Sequence, residues 1–134
     1  TLSPSSAASD VYKRQVIFIL PVEPPAMPPN RENTVIIQTD LGFPTRSTIM
    51  CRSSNILIVF GGRIGSMVEA LLAYDYGRPV VIIKSGYETD RLGECYRESF
   101  DIRRRARVYY VDNGFEAVEK IIEYVRELRR NYVI

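Results

Sequence analysis

Apolar positions along this chain come in short, nearly unbroken runs separated by glycine, proline and charge. Val16–Leu20, Thr34–Thr39, Ile56–Phe60, Pro79–Lys84 and Ala106–Val111 are too short for helices and rich in Val and Ile. Such runs are the signature of strands buried on both faces. Between them the period changes. Met67, Val68, Leu71, Leu72 and Tyr76 recur at helical spacing, which predicts a helix over Ser66–Tyr76 stopped by Gly77. Phe115, Val118, Ile121, Ile122, Val125 and Leu128 mark a long C-terminal helix, with Arg126, Arg129 and Arg130 suited to its negative dipole end. A helix over Thr45–Ser54, opening just after Pro44, and a weaker one over Asp90–Phe100 complete the set. Pro21 to Pro29 holds five of the chain's eight prolines and reads as a loop. Alternating strands and helices predict the α/β class, a parallel sheet with crossover helices.

The chain is organised around Asn55–Glu69. The apolar run stops at Gly61 and Gly62; Gly65, Ser66 and Glu69 follow, and then the Leu- and Ala-rich segment. That order reads as buried strand, tight turn and helix N-terminus. Glycines let the backbone turn sharply and approach a ligand, and the first helical turn offers unpaired N–H groups to an anion such as phosphate. The same glycines also suit a tight connection with no ligand. Ser66 and Glu69 carry a similar alternative, because Ser-x-x-Glu before an apolar helical run is a capping box.

Composition narrows the chemistry. The chain has no histidine, which removes imidazole bases, Ser–His and Cys–His nucleophiles and the HExxH metal site. Acid–base work then falls to Asp or Glu, with Tyr or Lys behind them. Cys51 and Cys95 are the only cysteines, too few for a zinc site within the chain and consistent with free thiols in a reducing, cytoplasmic setting. No metal site is expected. With 18 basic and 16 acidic residues, no strong field argues for nucleic acid or a membrane surface, and no apolar run approaches the roughly 20 residues of a membrane helix. Arg103-Arg104-Arg105 reads as a solvated basic turn.

Residues 1–15 stand apart. Ser5–Gln15 resembles the translation of a sequencing-library adapter joined in frame, so residues 1–15 are expected to be a non-native tail. Residues 16–134 are then the C-terminal portion of one domain. The first strand, Val16–Leu20, has no helix or partner strand before it, whereas a parallel sheet needs cover on both faces.

Leu41-Gly42-Phe43 with Arg46, Arg52-Ser53-Ser54-Asn55, Gly61 through Glu69, Ala73-Tyr74 and Gly77-Arg78-Pro79-Val80-Val81 together resemble the Rossmann-like LOG superfamily. They are closer still to its branch with the molybdenum-cofactor carrier proteins. The LOG motif runs Pro-Gly-Gly-x-Gly-Thr-x-x-Glu. Here Gly61 takes the proline position, as is common in that branch, Arg63 replaces a glycine, and Ser66 replaces threonine. Arg63 either crowds the backbone where a phosphate would lie or supplies a cation to it.

The resemblance implies a Rossmann-like fold with helices on both faces, a missing N-terminal portion, and a homodimer or higher homo-oligomer. It implies a nucleotide or nucleotide-like phosphorylated ligand, molybdopterin-type cofactors included, held by Gly42, Gly61, Gly62, Arg63, Gly65 and Ser66. Carrier or sensor function ranks first because the signature is altered. The alternative is a phosphoribohydrolase cleaving the N-glycosidic bond of a nucleoside 5'-monophosphate, with Glu69 and Arg46 catalytic. A carboxylate there stabilises an oxocarbenium-like centre or activates water, and a guanidinium grips phosphate bidentately. A solvated surface charge is the plain reading of Arg46. Asp40 either lies at the ligand edge or caps its turn. Ser85–Asp90 either closes over a ligand or supplies, through Thr89 or Asp90, the N-cap of the following helix.

Overall fold

A computed structural model describes residues 14–132, which form two compact units divided between Met50 and Cys51.

In the first unit, β1 (Val16–Leu20) pairs in parallel with β2 (Thr34–Gln38), Val16 opposite Thr34 and Leu20 opposite Gln38. Both strands fall where the β-branched runs predict them. The connection between them is the proline-rich segment, without helix or strand, as expected of residues that lack amide donors. The Thr39 side chain closes the pair, its hydroxyl donating to the Leu20 carbonyl at 2.6 Å and accepting from the Leu41 amide at 3.3 Å. Thr39 therefore organises this turn, and Asp40 serves it through a left-handed backbone, φ +58°, which Asp tolerates better than most residues. Helix α1 (Phe43–Ser53) begins two residues earlier than predicted, since Pro44 is compatible with a first helical turn.

In the second unit, β3 (Leu57–Val59), β4 (Val80–Ile83) and β5 (Val108–Val111) form a parallel sheet in the order β3-β4-β5. Leu57 pairs with Val80, and Val80 with Val108. Helix α2 (Ile64–Asp75) joins β3 to β4. A 3-10 turn (Glu88–Arg91) and the short α3 (Leu92–Cys95) lead toward β5, and α4 (Gly114–Tyr132) closes the unit. All four residues of β4 are buried, so the central strand has no polar face, as its continuous run predicts.

Successive strand residues point to opposite faces. Val81, Ile83 and Val111 pack with Ala117 and Ile121 of α4. Val80 and Ile82, both wholly buried, point the other way, toward the face that carries α2 and α3. Each such side chain contributes about 1.5–3 kcal/mol of hydrophobic stabilisation.

Three expectations change. The predicted helix over Asp90–Phe100 shrinks to the 3-10 turn and α3, because Phe100 leaves helical register to pack edge-to-face on Tyr74, centroids 5.1 Å apart. On α2 the buried residues are Ala70, Ala73 and Tyr74, whereas Leu71 is exposed; small alanines let the helix lie close to the sheet. On α4 the residues facing the sheet are Ala117, which is buried, and Ile121, and the rest of the apolar stripe read from the sequence is largely exposed. Tyr74 also anchors the turn before β5: its hydroxyl donates to Asp101 Oδ1 at 2.9 Å and accepts from the Arg105 amide at 3.2 Å. Within that turn Arg103 pairs with Asp101 and Asp75, and Arg105 with Asp75. The arginine run is thus partly neutralised in place, and the Arg103 guanidinium holds the Asp101 carboxyl below the usual carboxylate range.

Candidate functional site

Parallel strands end at a common edge. At the C-terminal edge of the β3-β4-β5 sheet lie Phe60–Arg63 after β3, Lys84–Tyr87 after β4, and Asp112–Asn113 after β5. Ligands of open α/β sheets are held outside this edge.

The glycines of the β3–α2 turn have individual steric reasons. Gly61 takes φ +97°, and a Cβ there would overlap the Ser85 side chain and come within 3.3 Å of the Tyr87 ring. A Cβ on Gly62 would overlap the Ser66 hydroxyl. Gly62 is also tied on both sides to Thr89: its N–H donates to Thr89 Oγ1 at 3.2 Å, and its carbonyl accepts the Thr89 amide at 3.1 Å. Thr89 is fully buried. It lies inside the 3-10 turn, whose N-cap is Tyr87, so its hydroxyl fastens the glycine turn and does not cap a helix. Sequence reading missed this link, which spans 27 residues.

Asp90 has a comparable local task. Its carboxylate accepts the amides of Ser85, at 3.1 and 3.3 Å, and Gly86, at 2.8 Å. The Ser85–Asp90 loop is thereby closed upon its own anion.

The capping box expected of Ser66 and Glu69 does not form. Arg63 is the N-cap residue and makes no side-chain cap, so Ser66 is the third residue of α2 and Glu69 the sixth. A reciprocal cap of this kind appears instead at α4, where Asn113 Oδ1 accepts the Glu116 amide at 3.0 Å and Glu116 Oε2 accepts the Asp112 amide at 2.7 Å. Among the described residues, the amides of Ile64, Gly65 and Ser66 and the Ser66 hydroxyl meet no acceptor or donor. Arg63 is exposed, with φ −105° and no partner for its guanidinium among the described residues. Its backbone there needs no glycine. Glu69 is half-buried, and its carbonyl accepts the Cys51 thiol at 3.4 Å. Exposed Phe60, Ile64 and Tyr87 belong to the turn or adjoin it.

The structure thus brings Gly61, Gly62, Arg63, Gly65, Ser66 and Glu69 together on one turn and helix. Gly42 and Arg46 belong to the first unit. There the Gly42 carbonyl accepts the Arg46 amide at 3.0 Å in the opening turn of α1. Arg46 is only 9% exposed, its guanidinium 4.4 Å from the Phe43 ring centroid and Nη1 donating to Met50 Sδ at 3.5 Å. It is no solvated surface charge. Arg52 stacks over Tyr76 at 5.0 Å. Both cysteines are free thiols, Cys51 buried and Cys95 exposed. No group of His, Cys, Asp and Glu among the described residues could hold a metal ion. No helix among them is long and apolar enough to cross a membrane.

A profile of the SLOG cluster4 family matches residues 5–117. The chain belongs to that family, within the LOG-like superfamily. The matched span opens inside the segment read above as an adapter-derived tail, of which residues 1–13 lie outside the described residues. Among solved structures the SLOG chain is similar to TM1055, a structural-genomics target solved by X-ray diffraction. The two share 30% identity over 88% of this chain and 69% of that one, with a TM-score of 0.77. The superposition extends to the Rossmann-like α/β architecture. No curated protein matches.

Proposed function

We propose that this SLOG protein binds a nucleotide or nucleotide-like phosphorylated ligand at the β3–α2 turn, as a carrier or sensor. The observation that carries the reading is the donor set at the start of α2 that meets no partner among the described residues: the amides of Ile64, Gly65 and Ser66, the Ser66 hydroxyl, and the Arg63 guanidinium. A twelve-residue helix adds the positive end of its dipole. Gly62 contributes shape, since its amide is already used by Thr89. These donors fit the phosphate that nucleotides and molybdopterin-type cofactors share, and Phe60, Ile64 and Tyr87 offer apolar surface to the ring of either. Such a cofactor, when bound, would bring its own redox chemistry; the residues of this turn would hold its phosphate.

Hydrolysis of a nucleoside 5'-monophosphate is the second reading. It draws on Glu69, one turn beyond Ser66 on the same helix, where a carboxylate would face a ribose whose phosphate lies on the turn.

The test is calorimetry with AMP, together with an assay for released adenine. Binding without release supports the carrier reading, and release that is abolished in Glu69→Gln supports hydrolysis. Gly65→Asp, which puts a carboxylate among the donors, and Arg63→Ala are each expected to weaken binding about tenfold or more. Affinity unchanged in both variants overturns the site assignment. Arg46→Lys examines whether the guanidinium implied by the resemblance takes part.

A further inference from the structure

The β3-β4-β5 sheet has a second end. At its N-terminal edge, away from the β3–α2 turn, β4 and β5 begin beside α4 and line a cleft of about 710 Å³. That is within the roughly 300–1,000 Å³ of small-molecule sites. Its cations come from two elements: Arg104, Arg105 and Arg107 from the segment that enters β5, and Lys120 from α4. Glu98 is the one carboxylate of the lining, brought there because its carbonyl accepts the Val108 amide at 3.0 Å.

The fold uses little of this charge. Arg105 lies 3.7 Å from Asp75, Arg107 3.6 Å from Glu127 and Lys120 3.4 Å from Glu123. All are longer than the about 2.7–2.9 Å of a tight charge-assisted hydrogen bond, so each cation keeps donors for another acceptor. Arg104 has no partner for its guanidinium among the described residues, and its backbone is left-handed, φ +48°. A turn built for stability alone takes Gly or Asn there. The turn is nonetheless held in place through the Tyr74 hydroxyl, which bonds Asp101 and the Arg105 amide, so its arginines need little ordering to meet a ligand. Tyr109 and Tyr124, both half-buried, form part of the same wall. The Tyr109 hydroxyl is buried without a hydrogen-bond partner among the described residues, a donor the fold leaves unused.

Three guanidinium forks and an ammonium match phosphoryl oxygens. The tyrosines offer surface to a ring, and Glu98 can accept from a sugar hydroxyl. We propose that this cleft is a second ligand site, which takes a small sugar phosphate, with or without a base, and grips its phosphate with Arg104. The proposal is independent of what the β3–α2 turn binds.

NMR titration of the whole isotope-labelled chain with inorganic phosphate, ribose 5-phosphate and AMP tests it, read at the amides of residues 104–107 and Lys120. Saturating shifts there are expected with ribose 5-phosphate and AMP, each bound about tenfold or more tighter than inorganic phosphate. AMP tighter than ribose 5-phosphate assigns a base to the tyrosine wall, and equal affinity assigns the sugar phosphate alone. Arg104→Gly is the deciding variant. Glycine suits the left-handed backbone, so the urea midpoint should hold while affinity falls about tenfold or more. Arg107→Gln should weaken the same response, and Arg63→Ala, at the other edge, should leave it unchanged. No saturation by about 10 mM overturns the proposal, as does inorganic phosphate that matches both probes, or an affinity indifferent to Arg104→Gly. Shifts confined to Ile64–Ser66 would leave the β3–α2 turn as the ligand site and refute this one.

Discussion

Replacing Gly61 by alanine makes two separable demands on the β3–α2 turn. At φ +97° an L side chain meets its own backbone, a cost on the order of 1–3 kcal/mol for residues held in such regions. The added methyl also overlaps Ser85, both Cβ and Oγ. Since the Ser85 Cβ is fixed to the chain, the ends of β3 and β4 must part, and overpacking of this kind costs about 1–3 kcal/mol. Gly61→Ala is therefore expected to destabilise by about 2–6 kcal/mol, a large share of an ordinary domain's 5–15 kcal/mol. Ser85→Gly alone should cost only about 0.5–1 kcal/mol, through the entropy of the unfolded chain. In its background the steric part of Gly61→Ala disappears and the dihedral part stays. Urea unfolding followed by circular dichroism reads the four corners of this cycle. A coupling below about 0.5 kcal/mol would refute the contact. Complete rescue would refute the dihedral cost.

Thr89→Val leaves the Gly62 amide without its acceptor, for which about 1–3 kcal/mol is expected. Thr89→Ser should recover most of it, and hydrogen exchange at Gly62 should quicken in the valine variant alone. Tyr110 is the clearest pH-dependent group. Burial pushes its phenol up to about 12, and its hydroxyl is buried without a hydrogen-bond partner among the described residues. The folded state favours the neutral phenol, so this contribution to stability is complete below the ordinary phenol range near pH 10 and is lost as pH rises toward 12. Tyr110→Phe should flatten that alkaline limb without loss of stability at neutral pH, and a limb unchanged in the variant would assign it to other groups.

Each strand and the two longer helices were legible because their signals are local: continuous apolar runs, a change of period, glycine or proline at the ends. What the sequence could not display were pairings between distant segments. Thr89 on Gly62, Tyr74 on the turn before β5, and Phe100 on Tyr74 each join residues 26 or more positions apart, and the last of these overrode the helical pattern of Asp90–Phe100. The faces of α2 and α4 misled for a related reason. Hydrophobicity ranks Leu71 above Ala70 and Ile122 above Ala117, whereas the sheet chose the alanines because close approach needs small side chains.

The same distinction bears on the glycine motif. Gly61 and Gly62 are both demanded by contacts within the chain, to Ser85, Ser66 and Thr89, and would be needed were no ligand ever bound. They are therefore weak witnesses to function, although they are the most conspicuous letters of the motif. Ser66 and Arg63 testify more strongly, because no contact among the described residues explains them: the capping box that would have accounted for Ser66 is absent, and the Arg63 side chain engages nothing among those residues. Substitutions at Gly61 and Gly62 are accordingly expected to lower stability first. Those at Arg63, Gly65 and Ser66 should alter phosphate affinity while leaving the unfolding midpoint nearly in place, and a Ser66→Ala variant that loses stability but keeps its affinity would reverse that ordering.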